Sequence, residues 1–260
     1  SDVNAEFQDL GHGREKGVMG RDINTPNVIP ILMCLAMLPV ANAALGGDET
    51  AVGDPSDLDA GPETVTDVDG NVYHTVTIGS QVWMVENLRV AHYRDGAAIP
   101  RVSDSEQWSD LTAGAYCLPE HDPSVQNDTY GLLYNFHAIR DRRGLCPRDW
   151  HVPTAEEWRT LIAQLGGAEV AGGVMKDISS GLWRVPVPGA TNESGFSAVP
   201  AGGRGRFGRA AEGGYYATWW SATPAEASYA WHWGLYPDRN VIRFNPGHQS
   251  SGFSVRCLRD

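Results

Sequence analysis

The pattern that most restricts the fold of this chain lies in its last third. Trp231, Trp233 and Leu235 alternate with His232, Gly234 and Tyr236, and Phe253, Val255 and Cys257 alternate with Ser254, Arg256 and Leu258. A two-residue period sends successive side chains to opposite faces of a strand. Together with Trp219-Trp220-Ser221 and Asn240 to Asn245, these runs predict a closing meander of short antiparallel strands, each with two unlike faces.

Strands also open the domain. Val72, Val76 and Ile78, then Val82, Met84 and Leu88, fall in two runs joined by Gly79-Ser80, a connection short enough for a tight hairpin. Just before them, Asp67-Val68-Asp69-Gly70-Asn71 begins like a calcium loop. No acid follows at the spacing such a loop needs, so the segment reads as a turn. The clearest helix starts at Thr154, which can cap the amide of Glu157 while Glu157 reaches back, and continues through Trp158, Leu161, Ile162 and Leu165 to Gly166-Gly167. Glu156 and Glu157 suit its first turn, where acids favour the helix dipole. A second helix is expected over Tyr130 to Ile139, with His137 as a packed histidine rather than a metal ligand. From Gly166 to Gly214 the chain is rich in Gly, Ala, Pro and Ser, with scattered anchors such as Trp183, Phe196 and Val199, and reads as long loops. Strands first, helices in the middle and strands last predict an α+β domain whose two ends meet in one sheet.

Ahead of the domain, Val28 to Val40 is an apolar run preceded by Arg21 and followed by Ala41-Asn42-Ala43, the order of a secretory signal. It is shorter than the roughly 20 residues that span a bilayer. Residues 1–43 are therefore expected to be lead sequence and signal peptide, cleaved after Ala43, and residues 44–64 an acidic linker. Residues 65–260 are left as the domain. Export to the cell surface or the medium follows, with no spanning segment in the mature form. The chain carries 20 basic and 32 acidic residues, net −12. That sign disfavours phosphate backbones and anionic lipids, so no nucleic-acid partner is expected. The arginine-glycine stretch around Arg204, Arg206 and Arg209 then reads as an exposed loop.

Six segments, in order, resemble one family: Asp67 to Leu88, Tyr130 to Ala138, Leu145 to Trp158, Ala190 to Pro200, Trp219 to Thr223 and Gly252 to Asp260. The chain resembles the Fibrobacter succinogenes major paralogous domain. That resemblance implies a branch of the C-type lectin-like superfamily near the formylglycine-generating, sulfatase-modifying group. It implies antiparallel sheets with one or two helices and long loops, in secreted or surface-attached bacterial proteins.

After signal removal three cysteines remain, Cys117, Cys146 and Cys257, and export favours a disulfide. Three single pairs are possible. Cys146 with Cys257 is the expected one, because Cys146 precedes the strand feeding the helix and Cys257 lies on the inward face of the last strand. Cys117 would then be free, buried or paired between molecules. No C-x-x-C or H-x-x-x-H spacing offers a zinc site, and no motif implies a cofactor. The reactive cysteine pair of the formylglycine-generating enzymes is matched only by Cys257, and no G-x-S-x-G, phosphate loop or H-E-x-x-H occurs. Enzymatic chemistry is the weakest expectation. The Glu-Pro-Asn and Trp-Asn-Asp signatures of calcium-dependent lectins are absent as well.

Aromatic residues crowd the carboxyl-terminal third: Tyr215, Tyr216, Trp219, Trp220, Tyr229, Trp231, Trp233 and Tyr236. Such rings stack on sugars and anchor interfaces. Trp219, Trp231 and Trp233 are expected in the core. His232, Tyr236, Arg239, Arg243, Asn245, His248 and Gln249 are the expected ligand-contacting surface. The favoured function is a secreted or surface-associated, non-catalytic module that binds a glycan or protein. The competing ones are a structural adhesin or filament component and a display protein diversified by a retroelement over Ser228 to Phe253.

Overall fold

In the computed structural model, which describes residues 63–120, 129–211 and 213–260, the two ends of the domain do share a sheet. The elements run β1 (Thr64–Thr66), β2 (Val72–Ile78), β3 (Gln81–Met84), α1 (Ser105–Ser109), β4 (Tyr116–Cys117), β5 (Leu133–Asn135), α2 (Phe136–Ile139) and β6 (Trp150–His151). There follow α3 (Ala155–Gln164), α4 (Ala168–Met175), β7 (Gly203–Arg204), β8 (Ala210–Ala211), β9 (Ala217–Pro224), β10 (Tyr229–Leu235), β11 (Ile242–His248), β12 (Gly252–Phe253) and β13 (Leu258–Arg259). They form three antiparallel sheets, ordered β1-β2-β3-β13-β6, β11-β10-β9 and β4-β5-β12-β7-β8. The expected signal peptide, and the linker up to residue 62, lie outside the described residues.

Local chemistry sets several of these elements. The β2–β3 hairpin pairs Ile78 with Gln81 around Gly79-Ser80, and Gly79 takes φ +61°, a conformation that favours glycine. The turn before it closes on Asp67, whose carboxylate accepts from the amides of Asp69 and Asn71, the Asn71 side chain and the Tyr73 hydroxyl. Helix α3 begins with the expected capping box: Thr154 accepts from the Glu157 amide, and Glu157 accepts from the Thr154 amide. Losing such a cap costs about 1 kcal/mol.

Two expectations about the middle of the chain are corrected. Of the segment Tyr130 to Ile139 only Phe136–Ile139 is helical; Leu133–Asn135 is a strand paired with β4 and β12. Asn135 ends the strand and caps the helix, accepting from the amides of Ala115 and Ala138. Within Gly166 to Gly214 the chain forms α4 and the short strands β7 and β8 as well as loops. Among the described residues there are thus four helices, two of them of five residues or fewer.

The three-stranded sheet β9-β10-β11 lies between two apolar clusters. On one face Trp219, Trp233, Leu235 and Ile242 join Trp83, Trp158, Phe196 and Met175. Trp158, delivered by α3 and fully buried, touches four aromatic rings: Trp83 at 4.9 Å, Phe196 and Trp219 at 5.9 Å and Trp233 at 6.2 Å. On the other face Trp220 and Ala230 join Tyr134, Phe136, Phe253, Val255 and the disulfide. The expected Cys146–Cys257 bond is present and spans 111 residues; Cys117 is free and buried. The run from Phe253 to Leu258, expected as the last strand of the meander, is corrected: β12 and β13 at its two ends lie in different sheets, and the residues between them are buried whichever way they point, because partners distant in sequence cover both sides.

Buried cations stitch these layers together. Arg256 donates to the Phe196 and Ser197 carbonyls and to Asn87 Oδ1, and its guanidinium lies 4.1 Å from the Phe196 ring. Burial pushes its pKa down to about 9. Arg204, expected in an exposed loop, is also buried, donating to the Val102 and Ser103 carbonyls over the Trp108 ring.

Candidate functional site

The seven expected ligand-contacting residues do not form one surface. Along β10 and β11, His232 opposes Asn245 in the middle of the sheet, Tyr229 opposes His248 at one end and Gly234 opposes Arg243 near the other. A seven-residue strand spans about 20 Å, too far for both ends to hold one small ligand. His232 is only 2% exposed, wedged against Trp220 and Phe253, and burial drives its pKa down to about 4. It is a core residue, which corrects its placement on the surface. Gln249 is corrected likewise: it is buried, and its side chain donates to the carbonyls of Ala227 and Tyr229, fastening the β9–β10 turn. Asn245 is half-buried, with its side-chain nitrogen covered. His248 packs edge-on to Tyr229, 5.4 Å away. Of the expected core tryptophans, Trp219 and Trp233 are buried, whereas Trp231 is half-buried and stacks on Phe244 at 4.3 Å.

Tyr236, Arg239 and Arg243 do come together, at the end of the sheet where β10 leaves for β11. The last paired residues of β9 and β10 are Ala217 and Leu235, so Tyr216 and Tyr236 extend the ladder by one step. Their rings meet edge to face at 5.7 Å. Tyr215 continues the row 6.3 Å from Tyr216, and Arg184 lies over Tyr215 at 5.7 Å. At the opposite end Arg239 lies over Tyr236 at 5.6 Å. The result is a ribbon of half-buried tyrosines with an exposed arginine at each end. Burial raises the Tyr236 pKa, Tyr216 adds to the rise, and Arg243 and Arg239 oppose it.

The backbone beneath this ribbon is held from behind. The buried Lys176 ammonium donates to the Arg239 carbonyl at 2.6 Å, and burial lowers its pKa to about 8. Asn240 sits against Gly172 and Gly173 of α4. A Cβ on Gly172 would come within 2.5 Å of the Asn240 carbonyl oxygen, so only glycine lets helix and loop approach this closely. Arg184 is placed by its amide, which donates to the Gly214 carbonyl, and by its stem, which lies across Gly214. In the loop, Asp238 and Arg239 form a two-pronged ion pair that holds the Asp238 carboxyl below its ordinary range.

Tyr236, Arg239 and Arg243 were readable from the sequence as candidates, and Tyr215 and Tyr216 as part of the aromatic cluster. Arg184 was not, because it joins the ribbon only through the long-range pairing of residue 184 with Gly214. Elsewhere, His151 bridges Asp260 and Glu157 at 2.6 and 2.9 Å, and His74 pairs with Glu86 at 2.6 Å. The His151 pair braces the start of α3 against the end of β13. Cys117 is no ready nucleophile: burial pushes its thiol up to about 11, where little thiolate forms near neutral pH. Among the described residues no group of three or more His, Cys, Asp or Glu could hold a metal ion, and no helix is long and apolar enough to cross a membrane.

Fold and site together define a disulfide-closed domain of antiparallel sheets and few helices, with an aromatic–arginine ribbon at one end of its middle sheet. Residues 76–259 match the model of the Fibrobacter succinogenes major domain, and the chain belongs to that family. No curated protein and no solved structure matches it.

Proposed function

We propose that this chain is an exported, non-catalytic binding module that recognises a glycan or a protein at the cell surface through the open end of its β9-β10-β11 sheet. The observation that carries the reading is the Tyr216–Tyr236 pair, presented half-buried on anchored backbone and flanked by arginines. Rigid aromatic side chains lose little conformational entropy on binding and offer large contact area. A C-type lectin-like architecture, distantly akin to the sulfatase-modifying group, belongs to the same reading. It is supported by the sheet that joins the two ends of the domain and by the disulfide that closes it. Export is supported by that disulfide, since such bonds persist in oxidising compartments, and by the apolar run Val28 to Val40. Cys257, the one match to the formylglycine-generating cysteines, is tied up in the disulfide and lends a catalytic role no support.

The test is retention of the full chain on a panel of immobilised polysaccharides and cell-surface proteins, beside Tyr236→Ala. Retention of the parent chain, reduced at least fivefold in the variant, is the expected outcome. No retention on any surface, together with self-association in solution, would replace this reading with a structural adhesin or filament component.

A further inference from the structure

The shape of the tyrosine row narrows the ligand further, an inference that rests on the binding reading above. Its ring planes are not parallel. They turn by 45° between Tyr215 and Tyr216 and by 78° between Tyr216 and Tyr236. A flat crystalline polymer face laid on the Tyr216 ring would meet the Tyr236 ring nearly edge-on, so it can stack on one of the two and not on both. The row is also held in this shape. Tyr216 and Tyr236 stand one step beyond the buried ladder pair Ala217–Leu235, and Lys176 fixes the loop after Tyr236 by the Arg239 carbonyl. Flattening it would loosen that packing. A single chain, whose sugars rotate about their linkages, can turn with the rings and set neighbouring sugars on neighbouring tyrosines.

Charge supplies the second restriction. The Arg239 guanidinium is taken by Asp238 through two hydrogen bonds, and Arg184, over Tyr215, is engaged within the protein as well. Neither end of the row therefore offers an open fork to an anionic group. The chain as a whole carries net −12, which opposes a polyanion. What remains suits an uncharged polyol: aromatic faces for the C–H face of a sugar ring, and the exposed Arg243 beside Tyr236 as a donor to sugar oxygens.

We infer that the row Tyr215–Tyr216–Tyr236 binds a single, soluble, uncharged polysaccharide chain across consecutive sugar units, and not the flat face of a crystalline polymer.

The experiment presents the same sugars to the full chain in two physical forms. Affinity electrophoresis uses gels containing hydroxyethylcellulose, glycol chitin or soluble starch; sedimentation uses crystalline cellulose, crystalline chitin or starch granules. At least one soluble polymer is expected to retard the protein, with an affinity at least tenfold above that for its solid counterpart. Raising the salt to about 1 M, which screens charge interactions, should change that affinity less than twofold. Tyr216→Ala and Tyr236→Ala should each weaken it at least fivefold, whereas Tyr229→Ala, at the far end of β10, should leave it unchanged; thermal midpoints check that each variant is folded. Equal or stronger binding to the solid form would overturn the single-chain inference and leave the glycan-binding reading standing. Stronger, salt-sensitive retardation by carboxymethylcellulose than by hydroxyethylcellulose would overturn the uncharged ligand. An equal loss in folded Tyr229→Ala would move the site off the row. If no soluble polymer retards the protein, the inference fails, and the panel of immobilised glycans and proteins decides the binding reading separately.

Discussion

The two faces of the β9-β10-β11 sheet are both dry, but they are secured by different chemistry. The Trp158 face is closed by interlocking aromatic rings around Arg256, a cation that stays charged across the ordinary pH range. The opposite face is closed by a covalent bond and holds His232, a histidine kept neutral by burial. Reductant therefore has its lever on one side of the sheet only, and the buried histidine places an acid lever within that same side.

The largest test of that contrast is the disulfide. A crosslink spanning 111 residues contributes about 5 kcal/mol in the chain-entropy model. Replacing both Cys146 and Cys257 by Ser should lower the denaturant-extrapolated stability by about that amount, with amide exchange rising first around Tyr134 and Val255. Equal loss of protection around Trp158 would erase the distinction between the faces. Trp158→Ala should cost about 4 kcal/mol, as truncation of a buried Trp generally does. That cost should be the same at pH 7 and pH 5 and with or without reductant.

His232 gives the pH arm of the comparison. Above about 6.5 it is neutral in folded and unfolded chains alike, so it adds no pH dependence there. Below that, the unfolded chain takes up a proton that the folded one refuses until about pH 4. Stability should thus fall as the pH drops from about 6.5 to about 4, by about 3 kcal/mol in all. In His232→Leu this part of the acid slope should vanish in pH-dependent urea titrations; an unchanged slope would assign the acid sensitivity elsewhere. The smallest effects concern two glycines on the His232 face. A Cβ on Gly247 would come within 2.8 Å of Phe253 and 2.9 Å of His232, so Gly247→Ala should cost about 1–3 kcal/mol by overpacking. A Cβ on Gly234 meets nothing closer than 3.7 Å, so Gly234→Ala should stay within about 0.5 kcal/mol in thermal melts.

The same contrast explains what could be read in advance. Helix α3 was legible because a capping box and a one-sided apolar stripe are local signals. The β2–β3 hairpin and the meander strands β9, β10 and β11 were legible for the same reason, but the last expected strand was not: its two ends pair with distant strands in two other sheets. The pairing of Cys146 with Cys257 was legible from the strand pattern around each cysteine, although the bond spans 111 residues. Leu133–Asn135 was misread as helix because its partners, β4 and β12, are distant in sequence. Helix α4 was missed because Gly172 and Gly173, poor helix formers, are there to admit Asn240. His232 was placed on the surface on the assumption that a strand with one polar row has one wet face. Here Trp220 and Phe253 cover that row, and only the tertiary structure brings them there.

Lys176 grips the loop that carries Arg239 by a main-chain carbonyl, a group that every amino acid supplies. The path of the loop at that point is thus indifferent to which side chain residue 239 displays. The side chain displayed there can be exchanged while the post that holds the loop from inside goes on working unaltered.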